Sequence, residues 1–301
     1  MRTERDTWDI ISSVGATALG AAAARAMETS RPDALVRDDY AALFVAASGH
    51  EGMGRLLKDP GSSDEWFLSS GIMGLRTKFC DDHFLAAAEA GMRQAVILAA
   101  GLDVRAYRLA WPAGTVVFGL DQPKVLEFKR QVLDDNNAEP AADRRAIAMD
   151  LRDDWPAALL NAGFDPSVPT SWTAEGLLPY LPGAAQNVLF ERIERLSAPG
   201  SRVALDALSG QDLEKLTKFT DEHVRNSPVA EIGLSDLFYT DERADPEDWF
   251  GTRGWTATPV SVLALAQRYG RELPPLPEPF GDLFLSSPFV EIVKPLTTPA
   301  P

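Results

Sequence analysis

The pattern of apolar and polar positions changes near residue 95. Before it, helix-length segments are separated by polar breaks: residues 7–28, a short piece near 38–48, another near 51–58, and a longer one from about 64 to 92. Arg31-Pro32-Asp33 predicts a turn and a helix restart, because proline fits the first helical turn. Asp59-Pro60-Gly61 is a second breaker. After residue 95, short apolar runs at 95–98, 115–118, 145–149, 170–173 and 201–205 alternate with helical stretches near 104–109, 122–135, 153–162 and 183–197. Strands spaced by helices predict βαβ units, a parallel sheet and right-handed crossovers. Two late runs, 255–259 and 289–293, predict closing strands around a helix at 260–269, the last strand antiparallel. The expected fold is α/β: a doubly wound, mostly parallel seven-stranded sheet. Residues 1–94 would form a helical N-terminal cap, 95–294 the core and 295–301 a tail.

Composition narrows the function. Across 301 residues, 29 Lys and Arg face 44 Asp and Glu, a formal charge of −15. Such a surface repels polyanions, so nucleic acid and anionic membranes are not expected partners. The single cysteine, Cys80, excludes an internal disulfide and a multi-cysteine zinc site. Three histidines, His50, His83 and His223, show no paired-ligand spacing, so no metal is expected. His83 lies in Asp81-Asp82-His83, which reads as a solvated helix face. Residues 14–27 look faintly like a signal peptide, but Glu4, Asp6 and Asp9 stand where a basic region belongs and Arg25 interrupts the run. A small-residue helix in a cytoplasmic protein is expected.

Candidate chemistry sits at the strand ends. The first core strand runs into Ala99-Ala100-Gly101, a small-residue turn that lets backbone approach a ligand. The second ends at Asp121, 20 residues after Gly101, the spacing at which a carboxylate accepts hydrogen bonds from ribose hydroxyls. The third ends at Asp150-Leu151, where a carboxylate and a backbone N–H would frame an adenine edge. Each acid alone is more often a helix cap or a solvated turn; together they predict a nucleoside pocket. The turn has one glycine, not the Gly-x-Gly-x-x-Gly of dinucleotide folds, and Asp103 would repel a diphosphate. A phosphate-free, cationic nucleoside such as S-adenosylmethionine fits better.

Several strings carry a resemblance. They are Thr7-Trp8-Asp9-Ile10, Arg31-Pro32-Asp33-Ala34-Leu35, Arg76-Thr77-Lys78-Phe79, Gly101-Leu102-Asp103-Val104-Arg105-Ala106-Tyr107-Arg108-Leu109, Asp121-Gln122-Pro123, and Glu175-Gly176-Leu177-Leu178-Pro179-Tyr180-Leu181. On these the chain resembles the leucine carboxyl methyltransferase-like branch of S-adenosylmethionine-dependent methyltransferases, in particular its mycobacterial and actinomycete group. The resemblance implies a Rossmann-like class I methyltransferase fold and S-adenosylmethionine as cofactor. It implies that Asp121, Asp150 and Leu151 hold the adenosine, that Arg76 holds the methionyl carboxylate, and that Gly101 passes under the methionine portion. Glu175 would lie near the methionyl amine or the substrate mouth, and Tyr180 at that mouth; these two are the catalytic candidates.

Three positions depart from the family pattern: Ala99 stands where glycine is usual, Gly119 where an acid is usual two places before Asp121, and Pro179 where an unbranched apolar residue is usual. The expected reaction is methyl transfer to oxygen of a small-molecule or peptide acceptor, a carboxylate first, since that acceptor is already ionised and needs no base. The protein is expected to act as a monomer. The alternative is a nucleoside-binding protein whose methyltransferase site has decayed. Arg105 and Arg108 would join the site or pair with acidic neighbours, Cys80 would be buried, and Trp249, Phe250 and Trp255 would be core.

Overall fold

The computed structural model describes residues 13–59, 71–223, 237–275 and 288–296, together with 281, 282 and 285. The Thr7–Ile10 string, the start of the expected helix at 64–92 and the end of the tail lie outside these residues. The N-terminal part supplies α1 (Ser13–Ser30), α2 (Ala41–Ser48), α3 (Glu51–Lys58) and α4 (Ile72–Glu89). His50 caps α3, its ring Nδ1 accepting the Met53 N–H at 3.4 Å.

Then strands and helices alternate: β1 (Gln94–Leu98), α5 (Arg105–Arg108), β2 (Val116–Asp121), α6 (Pro123–Asp135), β3 (Asp143–Ala148), α7 (Trp155–Asn161), β4 (Ser171–Ala174), a 3₁₀ turn (Leu178–Tyr180), α8 (Gly183–Leu196) and β5 (Arg202–Asp206). The chain ends with α9 (Gly210–His223), α10 (Pro246–Gly251), β6 (Thr256–Ser261), α11 (Val262–Tyr269) and β7 (Pro288–Val293). The seven strands form one sheet in the order β3-β2-β1-β4-β5-β7-β6. β1 to β5 pair in parallel, and β7 runs antiparallel to both β5 and β6.

Every residue of β1 is buried, as a strand covered on both faces requires. Val96 and Leu98 join one apolar cluster with Phe118, Trp155, Trp172 and Phe190, while Ala95 and Ile97 join another with Phe84 and Leu109. That alternation is the strand's period of two. Trp249, Phe250 and Trp255 are core, as expected. Helix α6 starts with Pro123 at its first turn and buries Val125, Leu126, Lys129, Val132 and Leu133, a spacing of three and four that marks one helical face. Its apolar side packs with α1, α2 and α3 in a cluster that includes Leu19, Phe44, Met53 and Val132. Among the described residues, no helix is long and apolar enough to cross a membrane.

Element boundaries shift from the expected ones by one to two residues in most places. The third strand begins at Asp143 instead of 145, and the sixth spans Thr256–Ser261 instead of 255–259. Helices α9 and α10, between residues 206 and 254, are additions to the sequence reading.

Candidate functional site

In an open α/β sheet a ligand binds beyond the carboxyl ends of the strands, where the strand order reverses. Here the chain steps outward from β1 to β2 and β3, then returns to the other side for β4 and β5, so the reversal lies between β1 and β4.

The turn after β1 is tightly wound. Ala99 has φ 51° and Gly101 φ 41°, both in the left-handed region. Ala100 donates its N–H to Leu120 O at 2.8 Å, which ties the turn to β2. The Gly101 N–H donates to Asp121 Oδ2 at 2.6 Å, and the Gln122 N–H to Asp121 Oδ1 at 2.6 Å. A carboxylate has about four acceptor sites, so each oxygen keeps capacity for a ligand hydroxyl. Burial pushes the Asp121 carboxyl up, against the pull of these two N–H donors. Gly119 sits under the turn: a Cβ there would meet the Ala100 methyl at 3.3 Å, so the usual acid at this position would need Ala100 to move.

Asp150 and Leu151 follow β3, next to Asp121, whose carbonyl accepts the Met149 N–H at 2.9 Å. Asp150 accepts Arg152 N–H at 2.8 Å and Arg152 Nε at 2.9 Å. Burial opposes ionisation of Asp150, but Arg152 outweighs it and holds the carboxyl below the ordinary range.

Across the reversal, Arg76 of α4 meets Glu175, the residue after β4: Nε donates to Oε1 at 3.0 Å. Its Nη1 lies 3.6 Å from Asp206 Oδ2, at the end of β5. Among the described residues that Nε contact is its sole hydrogen bond and Nη1 is ion-paired with Asp206, which leaves Nη2 as a donor for an anion. Glu175 also pairs with Arg105, Oε2 to Nη1 at 2.8 Å. Arg105 is 2% exposed and pairs in turn with Asp103 and with Asp81 at 2.6 Å, and Arg108 joins Asp81 at 2.6 Å. The two arginines thus pair with acidic neighbours, and through Glu175 also adjoin the site. Burial raises the Glu175 carboxyl, but Arg105 and Arg76 outweigh it and hold it well below the usual range.

Tyr180 closes the 3₁₀ turn and packs edge-on against Phe238, ring centres 5.2 Å apart. The Pro179 carbonyl accepts the Tyr239 N–H at 2.9 Å, so this departure from the family pattern leaves a backbone contact intact.

Two groups differ from expectation. His83 is buried instead of solvated: its Nε2 lies 2.9 Å from Ser171 Oγ and its Nδ1 3.5 Å from Glu291. Burial depresses its pKa, against the attraction of Glu291. The charged string around it misleads because α4 is covered on more than one side: Asp81 turns to Arg105 while His83 turns to β4. Asp206, the second missed group, had the same signal as Asp121, an acid directly after an apolar run. Cys80 is buried as expected, and among the described residues no three metal-ligating side chains cluster.

The edge therefore presents hydroxyl acceptors at Asp121 and Asp150, and an arginine flanked by carboxylates at the other end. The family profile of leucine carboxyl methyltransferase matches residues 18–194. The chain belongs to the leucine carboxyl methyltransferase family. A candidate S-adenosyl-L-methionine-dependent methyltransferase of Rhodococcus jostii strain RHA1 is 54% identical over 98% of this chain and 100% of its own. One from Mycobacterium tuberculosis is 47% identical over 98% of this chain and 97% of its own. Among solved structures, a candidate methyltransferase of Thermobifida fusca aligns over 91% of this chain and 94% of its own, with TM-score 0.51 and 18% identity. A DUF574 family protein of Streptomyces avermitilis aligns over 91% and 97%, with TM-score 0.51 and 15% identity. These two likenesses carry the fold: the family member here has the class I methyltransferase architecture.

Proposed function

We propose that this chain transfers the methyl group of S-adenosylmethionine to an oxygen of a small-molecule or peptide acceptor, a carboxylate in the first instance. The observation that supports this best is the pairing of two unlike ends on one sheet edge. Asp121, bonded to the Gly101 N–H at 2.6 Å, offers acceptors for a ribose. Arg76, beside Glu175 at 3.0 Å, offers a cation and an anion for an aminocarboxylate. The residues present fit this cofactor: among the described residues Arg76 Nη2 makes no hydrogen bond, and Asp121 keeps spare acceptor capacity.

When bound, the cofactor supplies a methyl carbon already activated by its sulfonium. Asp121 accepts from the ribose hydroxyls, Asp150 and Leu151 frame the adenine, and Gly101 passes its backbone beneath the methionine portion. Arg76 takes the methionyl carboxylate bidentately, and Glu175 takes the amine. Tyr180 stands at the acceptor mouth, and the N-terminal helices α1 to α4 cap the pocket. The protein's task is alignment and exclusion of water. A carboxylate acceptor needs no general base, which suits histidines already committed elsewhere: His50 caps α3 and His83 is buried against Ser171. The formal charge of −15 speaks against nucleic acid as acceptor. A monomer suffices for this arrangement.

Two measurements test the reading. Asp121→Ala is expected to fold and to bind S-adenosylhomocysteine about ten- to a hundredfold more weakly by calorimetry, since hydrogen bonds to a charged group are lost. Unchanged affinity removes Asp121 from the site. Cell extract incubated with methyl-labelled donor is expected to yield a product that releases labelled methanol in mild base, as an ester does. A base-stable product moves the acceptor to a hydroxyl or amine. A second reading, binding without turnover, is favoured by the Ala99 methyl in the cofactor turn, and sustained turnover in that assay rejects it.

A further inference from the structure

The parallel register pairs Ala174 of β4 with Leu205 of β5, so the residues that follow, Glu175 and Asp206, emerge side by side at the same edge. Both reach one guanidinium: Arg76 Nε is 3.0 Å from Glu175, and Arg76 Nη1 is 3.6 Å from Asp206. Asp206 is itself fixed, accepting the Gly176 N–H at 2.6 Å. Gly176 has φ 62°, and a Cβ there would come within 3.3 Å of Arg76 Nη1, so the exit from β4 is shaped to let the guanidinium lie close above it.

Charge makes this arrangement selective. Glu175 is already shared with Arg105 at 2.8 Å, so Asp206 is a second carboxylate that Arg76 faces. An incoming ligand with a lone carboxylate meets both anions that flank Arg76. A ligand that carries an ammonium next to its carboxylate meets a partner for each. Burial, with Glu175 beside it, raises the Asp206 carboxyl above its ordinary range, against the pull of Arg76 and the Gly176 N–H.

We infer that Asp206 is a positioning residue for the cofactor's amino-acid end: it orients Arg76 and, with Glu175, makes that end of the pocket select a zwitterionic aminocarboxylate. This rests on the assignment of Arg76 to the methionyl carboxylate.

The test compares two ligands that share the thioether nucleoside, S-adenosylhomocysteine and 5′-methylthioadenosine; the second has no amino-acid end. Calorimetry on the full chain gives the ratio of their affinities, and because both are read on the same protein, a reduced folded fraction cancels. Asp206→Asn keeps an acceptor for the Gly176 N–H and removes only the charge. It is expected to weaken S-adenosylhomocysteine about tenfold and to leave methylthioadenosine within about twofold. Asp206→Glu restores the charge and is expected to recover most of the ratio. An unchanged ratio in the Asn variant overturns the inference, as does a parallel loss of both ligands, which would mean that Asp206 only braces the turn. A Glu variant that matches the Asn variant also overturns it. If wild-type protein binds neither ligand, the cofactor assignment fails and this inference falls with it. If wild-type binds both and Asp121→Ala loses both, that assignment stands whatever Asp206 does.

Discussion

Ala99 is the residue where backbone strain and the proposed cofactor turn coincide. Its φ of 51° is a conformation in which an L side chain meets the following carbonyl, at a cost of about 1–2 kcal/mol. Glycine adopts it freely, but an unfolded chain with glycine there gains entropy worth roughly 0.4–1 kcal/mol. The two effects nearly offset in stability. They do not offset in binding, because the turn carrying Ala99 also carries the Gly101 N–H that meets Asp121 at 2.6 Å. Ala99→Gly is therefore expected to change unfolding free energy by less than about 1 kcal/mol and to tighten S-adenosylhomocysteine several-fold. Weaker binding by the glycine variant would show that the methyl group shapes the pocket favourably. Ala99→Val, β-branched in the same conformation, is expected to lose stability clearly in urea unfolding. Legibility at this scale followed the strand ends. Gly101, Asp121 and Asp150 each announce themselves by an apolar run before them. Asp206 gave that signal too, but nothing in a linear string says that β5 will stand beside β4 and send its acid toward Arg76. His83 misleads in the string because its neighbours Asp81 and Asp82 look solvated, whereas Asp81 is buried in contact with Arg105 and Arg108.

At the scale of elements, α6 shows a lysine on an apolar face. Lys129 is 4% exposed, beside Val125, Val132 and Leu133 on the buried side of the helix. Burial lowers its pKa from an ordinary 10.5 to about 8, against the attraction of Asp103 and Asp121. In the folded state the ammonium is thus harder to keep than in the unfolded state. The sign follows from proton counting: between pH 8 and 10.5 the unfolded chain holds this proton and the folded chain does not, so stability rises with pH across that window. Below pH 8 both states hold it and the full penalty applies. Urea unfolding at steps from pH 7.5 to 10 is expected to show this rise in wild type relative to Lys129→Met, by roughly 1–3 kcal/mol. Parallel curves for the two proteins would mean that Lys129 titrates normally. The elements themselves were legible where one rule governs. The central strands β1 and β4 are buried at every position, and β1 reads as an almost unbroken apolar run. α10 was not, because it is only six residues long, held by the Asp245 cap on the Glu247 and Asp248 N–H groups and by burial of Trp249 and Phe250. The cap signal Asp245-Pro246 was present, but an apolar periodicity needs more length to show.

For the molecule as a whole, the question is how the N-terminal helices relate to the pocket. α4 is the connecting piece. Ile72, Leu75, Phe79 and Cys80 pack with Ala204, Val262 and Phe289, His83 reaches Ser171, Asp81 reaches Arg105 and Arg108, and Arg76 reaches Glu175. These apolar and ionic contacts anchor the helix from Ile72 to His83. Ile72 and Leu75 pack its first turn in the same cluster, and Arg76 is the residue there that reaches the strand ends, so a ligand at those ends acts on α4 at that point. The proposed cap therefore makes a localised claim. Saturating S-adenosylhomocysteine is expected to engage Arg76, one turn into α4, and to slow amide hydrogen exchange over residues 72–78, while residues 80–89 are expected to exchange slowly with or without it. Mass-spectrometric exchange on the full chain measures both segments in one experiment. Protection confined to the strand ends near Gly101 and Asp121, with residues 72–78 unchanged, would leave the adenosine site standing and remove α4 from cofactor binding. Protection spread evenly over all of α4 would instead indicate that the whole helix is loose without cofactor, which its buried contacts with β4, β5 and α11 argue against. Arg76→Lys separates the local effect from a global one: an ammonium lacks the guanidinium's bidentate geometry, so the protection at 72–78 is expected to shrink while that near Asp121 persists at saturating ligand.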